Sequence, residues 1–168
     1  MYQYTNVVEI MDTLNLVWSK ATSLPHPYSE ASATILGDRL FMLGGEDQNC
    51  KMSQSVLTCS LSKLIQSQEV MPRWGTISDA PNFGSTCVTV KGELLAIGGH
   101  SKKNKDATDV CKYNPVTDSW DVVSHMSTAR SSPLVTVLPT NDVIVVGGSF
   151  HCCFGELQST DTVEITTN

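Results

Sequence analysis

An apolar run closed by a pair of glycines occurs three times along this chain, at Gly44-Gly45, Gly98-Gly99 and Gly147-Gly148. Each pair follows a lone tryptophan, Trp18, Trp74 or Trp120. Gly44 to Gly98 is 54 residues and Gly98 to Gly147 is 49, while the tryptophans lie 56 and 46 apart. Two registers moving together at a period of ~50 residues mark a repeated supersecondary unit rather than a chance dipeptide. A unit of that size buries its apolar faces by stacking on its neighbours, which restricts the chain to a repeat architecture.

Within each repeat the run before the glycines is apolar throughout: Leu40-Phe41-Met42-Leu43, Leu94-Leu95-Ala96-Ile97 and Val143-Ile144-Val145-Val146. Strands without polar alternation are buried on both faces. About ten residues earlier lie segments of small side chains, Ala31 to Ile35, Ser85 to Val90 and Pro133 to Val137. Small residues suit the most crowded strand, and in a propeller that is the one nearest the axis. Gly37-Asp38, Lys91-Gly92 and Thr140-Asn141-Asp142 supply the residues that tight hairpins require. Third strands are read at Ser55 to Leu61, Thr108 to Tyr113 and Thr162 to Thr166, and fourth strands begin at the tryptophans. Val7 to Met11 with Trp18 then form the last two strands of a partial blade, for an expected 13 strands. One helical turn within Ser62 to Glu69 is the only expected interruption.

The expected fold class is therefore all-β, a partial β-propeller of four-stranded antiparallel blades. At ~50 residues per repeat the 168 residues hold about three blades, short of the ~4–8 of closed rings. Further blades, or association of the chain with itself, would complete a propeller. The net charge of −6 and pI of 5.0 argue against nucleic acid as a partner. Met1 to Glu9 has neither the basic start nor the apolar core of a signal peptide, and no run approaches the ~18 apolar residues of a membrane span. A soluble, cytoplasmic setting is expected. Of six cysteines, Cys59, Cys87 and Cys111 fall inside expected strands as small apolar side chains, and reduced thiols are expected.

The stretch Tyr113-Asn114-Pro115-Val116-Thr117-Asp118-Ser119-Trp120, followed by Met126, Arg130 and Val143 to Gly148, resembles the kelch motif over its whole length. The resemblance implies four units: 1–23, two last strands; 24–79 and 80–124, complete blades; and 125–168, a blade lacking its fourth strand. Together they make a single kelch-repeat region, 1–168. It also implies that Tyr113 and Trp120 pack on Gly98-Gly99 of their own blade, with Trp18, Trp74 and the other glycine pairs in the same structural role. In larger kelch proteins such a region selects targets for a ubiquitin ligase or docks onto actin, which implies a protein partner here. Arg130 alone stands where that family's first-strand arginine lies.

Loops on a rigid scaffold are the usual carriers of recognition. The expected binding face comprises Tyr28, Glu46, Asp47, Phe83, His100, Lys102, Lys103, Lys105, Arg130, Phe150, His151 and Phe154. No catalytic residue, metal or cofactor is assigned. A kelch-like metal-dependent oxidase or sugar-modifying enzyme is the alternative, and would need ligands converging on one face. His26, His100, His125 and His151 stand singly, and the adjacent Cys152 and Cys153 would point apart in an extended segment.

Overall fold

The computed structural model describes residues 4–66, 74–101, 107–151, 157–159 and 162–166. Strands β1 (Glu9–Asp12) and β2 (Val17–Lys20) form an antiparallel hairpin. Next comes a four-stranded sheet of β3 (Ser32–Leu36), β4 (Arg39–Leu43), β5 (Val56–Ser60) and β6 (Gly75–Ile77), in sequence order. A six-residue helix α1 (Leu61–Gln66) precedes β6 and buries Leu64. The second four-stranded sheet holds β7 (Thr86–Val90), β8 (Glu93–Ile97), β9 (Asp109–Asn114) and β10 (Ser119–His125), with a bulge between Val122 and Ser124. Strands β11 (Leu134–Val137) and β12 (Val143–Val146) form the last sheet with β15 (Val163–Thr166), while β13 (Ser149–His151) and β14 (Leu157–Ser159) make a separate hairpin.

The uninterrupted apolar runs do what their composition demands. On β8, Leu94 and Ala96 face the first four-stranded sheet and pack with Phe41, Leu43 and Val56. Leu95 and Ile97 face the other way, toward Met126, Val143 and Val145. The third sheet has one face in that second cluster. Its other face carries Leu134, Val146, Val163 and Ile165, exposed at 73, 37, 56 and 55 %.

The crowded first strands are stitched together by hydroxyls. The amide of Cys87 donates to Ser32 Oγ at 3.0 Å, Thr34 Oγ1 donates to Thr89 Oγ1 at 3.2 Å, and Thr86 Oγ1 donates to the Pro133 carbonyl at 2.6 Å. Short polar side chains here do more than save space: they join each inner strand to the next. The hairpin turns also follow their sequences, with Gly37, Lys91, Gly92 and Asn141 all in the left-handed region.

Two expectations are corrected. Fifteen strands are present among the described residues rather than 13, because β13 and β14 lie where a loop was expected. Three-residue strands are too short for periodicity to reveal. The aromatic pair is also placed differently. Trp120 lies opposite Tyr113, with ring centroids 5.3 Å apart, but the pair packs on the cluster between the two four-stranded sheets rather than on Gly98-Gly99. Register explains this. Lys112 is opposite Leu95, so Tyr113 lies beside the start of β8, whereas the glycines follow its end.

Candidate interaction surface

All six glycines of the three pairs have positive φ, between 61° and 97°. This conformation turns the chain off the end of the second strand, and it brings the next residue back beside the segment that enters the first strand. The outcome is the same antiparallel bridge three times: Ser29 with Glu46, Phe83 with His100, and Ser131 with Ser149. A side chain at Gly45 would sit 2.8 Å from the Ser29 carbonyl oxygen, and one at Gly99 would sit 2.6 Å from Ser85 Oγ. Only glycine allows such approaches.

These bridges form a rim along one edge of the sheets. At its first position Tyr28 borders a cavity of about 330 Å³ with His26, Asp47, Lys51 and Met52. Asp47 shapes that loop from within, its Oδ1 accepting the amides of Asn49 at 2.8 Å and Lys51 at 3.0 Å. The Lys51 and Asn49 amides hold its carboxyl below the usual carboxylate range. Glu46 accepts a hydrogen bond from the Tyr4 hydroxyl at 2.7 Å, and this bond, followed by the contact with Cys50, pushes the Tyr4 phenol up. Tyr4, 42 residues from Glu46, was missed by the sequence reading. No local signal marks it.

At the second position the rings of Phe83 and His100 lie 5.6 Å apart, and His100 Nδ1 is 3.2 Å from Ser131 Oγ. Arg130 does not belong to the accessible surface. It is fully buried, donating from Nη1 to the carbonyls of Gly147 at 2.7 Å and Thr162 at 2.9 Å, and from Nη2 to Thr162 Oγ1 and Glu164 Oε1. Burial works to raise the Glu164 carboxyl, but the amides of Ser127 and Thr128 together with Arg130 outweigh it and leave it below its ordinary value. Arg130 thus ties the entry of β11 to β12 and β15, and the physical reason is that a buried guanidinium must spend its donors inside the protein. Phe150 and His151 fall in β13, whose backbone pairs with β14. Lys102, Lys103, Lys105 and Phe154 lie outside the described residues.

The tryptophans also separate in role. Trp74 Nε1 donates to the Ser23 carbonyl at 3.0 Å and Trp120 Nε1 to the Ser78 carbonyl at 3.2 Å, each reaching the segment after the preceding fourth strand. Trp18 is 62 % exposed, so the packing role expected for it is not seen. Cys59, Cys87 and Cys111 are buried free thiols and Cys50 an exposed one. Burial, followed by the nearby Asp109, pushes the Cys111 thiol up to about 11. Among the described residues no three His, Cys, Asp or Glu side chains are grouped to hold a metal ion.

Stacked antiparallel sheets joined through their first strands, each with a glycine pair closing its second strand, define a β-propeller segment. The kelch motif matches residues 81–127. Kelch-like protein 34 of Homo sapiens is 26 % identical over 152 residues, which is 88 % of this chain and 24 % of that protein. The influenza virus NS1A-binding protein of Homo sapiens is 31 % identical over 102 residues, 61 % of this chain and 16 % of that protein. The chain thus spans about a quarter or less of these relatives. The structure of YjhT shares the fold, with a TM-score of 0.69 at 15 % identity over 96 % of this chain and 52 % of its own. Residues 81–127 thus carry a kelch motif, and the described residues place two four-stranded sheets between a two-stranded and a three-stranded one.

Proposed function

We propose that the chain is a protein-interaction module that acts by binding and not by catalysis, and that its partner meets the rim of glycine-pair bridges. The observation that carries this reading is the threefold repetition of one bridge, Ser29 with Glu46, Phe83 with His100 and Ser131 with Ser149. It sets Tyr28, Glu46, Phe83 and His100 on a rigid edge, where aromatic side chains lose little freedom on binding. In the sequence Glu46 and Asp47 follow one glycine pair, and Lys102, Lys103 and Lys105 follow the next, so successive repeats carry opposite charge after their glycines. That order would steer encounter with a protein of complementary charge more than it would set affinity.

Relatives named as binding or kelch-like proteins support binding over chemistry. Selection of targets for a ubiquitin ligase and docking onto actin are the partner classes the motif brings forward. Buried reduced thiols suit a reducing compartment, and we place the chain in the cytoplasm. No helix among the described residues is long and apolar enough to cross a membrane.

The test is affinity capture from a lysate with the whole chain as bait, followed by lysine cross-linking. Cross-links from Lys51, beside Tyr28, are expected, and Tyr28→Ala with Phe83→Ala should weaken capture by roughly tenfold or more. Cross-links confined to Lys91 and Lys112, at the other ends of the strands, would discard the rim as the contact surface.

A further inference from the structure

The edge opposite the rim carries a second feature. Between the two four-stranded sheets a groove of about 540 Å³ is floored by Leu36, Phe41 and Leu94 and walled by Tyr113. Two cations line it, Arg39 and Lys112, and one acid, Glu93. Lys112 Nζ sits 3.1 Å from Glu93 Oε1, so that pair cancels. Asp38, next to Arg39 in sequence, gives its oxygens to Ser60 and Ser62.

Arg39 stands in no ion pair among the described residues. Its Nε donates to Thr58 Oγ1 at 3.0 Å, and Thr58 is 2 % exposed, so the guanidinium is tethered to a buried hydroxyl. Its two terminal amino groups make no hydrogen bond or ion pair among the described residues. A tethered guanidinium with that edge open matches the two oxygens of a carboxylate, and its planar fork makes the match directional. The apolar floor beside it rewards a hydrocarbon body and disfavours a fully hydrated anion such as phosphate. The volume falls within the ~300–1,000 Å³ usual for ligand sites.

We propose that this groove binds a carboxylate joined to an apolar body, the acid on Arg39 and the body over Leu36, Phe41 and Leu94. A free organic acid and the carboxyl-terminal residue of a peptide both present this chemistry. The site uses none of the rim residues, so it stands or falls apart from the rim.

The experiment is a nuclear magnetic resonance titration of the isotope-labelled whole chain. The probes are phenylbutyrate, its neutral amide, and the peptide acetyl-Gly-Gly-Phe with a free or an amidated carboxyl end. Saturable shifts are expected at residues 36–39, 92–95 and 112–114 with an acid, and binding roughly tenfold weaker with the matching amide. Saturation by phenylbutyrate assigns a small acid, and saturation by the peptide acid alone assigns a chain end. Arg39→Gln should weaken binding by roughly tenfold, with a thermal melt confirming the fold. Glu93→Gln touches only an exposed ion pair and releases Lys112, so it should tighten binding severalfold. Equal binding of acid and amide, no saturable shift with any probe, or unchanged affinity in Arg39→Gln would overturn the proposal.

Discussion

The indole N–H of Trp120 donates to the carbonyl of Ser78, 42 residues earlier, and that bond ties the second four-stranded sheet to the segment leaving the first. Trp74 makes the equivalent bond to Ser23 one blade back. At Trp74 and Trp120 the tryptophan register seen in the sequence is thus also a register of contacts between successive sheets.

Trp120→Ala should therefore cost about 3 kcal/mol, the low end for truncating a large buried aromatic, because the ring is half-buried and packs at a tilt against Tyr113. Trp18→Ala, at an exposed site, should cost about 0.5 kcal/mol or less. Denaturant melts of the two variants decide it, and equal losses would contradict the packing described.

The glycine pairs and the hairpin glycines should respond differently to alanine. Gly99→Ala meets both a left-handed φ of 94° and the nearby Phe83 carbonyl, so a loss above about 2 kcal/mol is expected. At Gly37 nothing lies within 4 Å of the added Cβ, and φ is 59°, so only the conformational cost of about 1 kcal/mol applies. Chemical denaturation of both variants measures the contrast.

Arg130→Ala removes the cation from Glu164, which keeps only the amides of Ser127 and Thr128, and a buried donor from the Gly147 and Thr162 carbonyls, and should cost about 3–5 kcal/mol. Glu164 also sets a pH dependence. Its folded pKa lies below the unfolded value of ~4.3, so the stabilisation is fully present above that pH and is lost as pH falls through the folded pKa. In thermal melts run from neutral to acid pH, Glu164→Gln should lose less stability than the parent chain over that window. Parallel losses would remove Glu164 from the account of acid sensitivity.

Thiol labelling should separate the cysteines. Cys50 is exposed and should react with a maleimide in the native protein, whereas Cys87 and Cys111 are buried, with thiols pushed above their ordinary value, and should react only on unfolding. Peptide mass mapping before and after denaturant reads this directly. Early labelling of Cys111 would mean that β9 opens in the native state.

The architecture was legible in the sequence because propeller strands carry strong local signals. A four-residue run such as Leu94-Leu95-Ala96-Ile97, apolar at every position, has to be covered on both sides, and the structure covers it on both sides. Turn chemistry at Lys91-Gly92 and the glycine pairs themselves state their φ requirements in the residues. What the sequence could not state is which long-range neighbour each side chain meets. The register of β8 with β9 carried Tyr113 and Trp120 away from the glycines, and burial turned Arg130 from a surface candidate into a tie between β12 and β15. Tyr4 reached Glu46, and Arg39 came to overhang an apolar groove, only because separate blades were brought side by side. Periodicity is written along the chain, residue by residue. The contacts between blades depend on packing across 40 or more residues, and only the tertiary structure decides them.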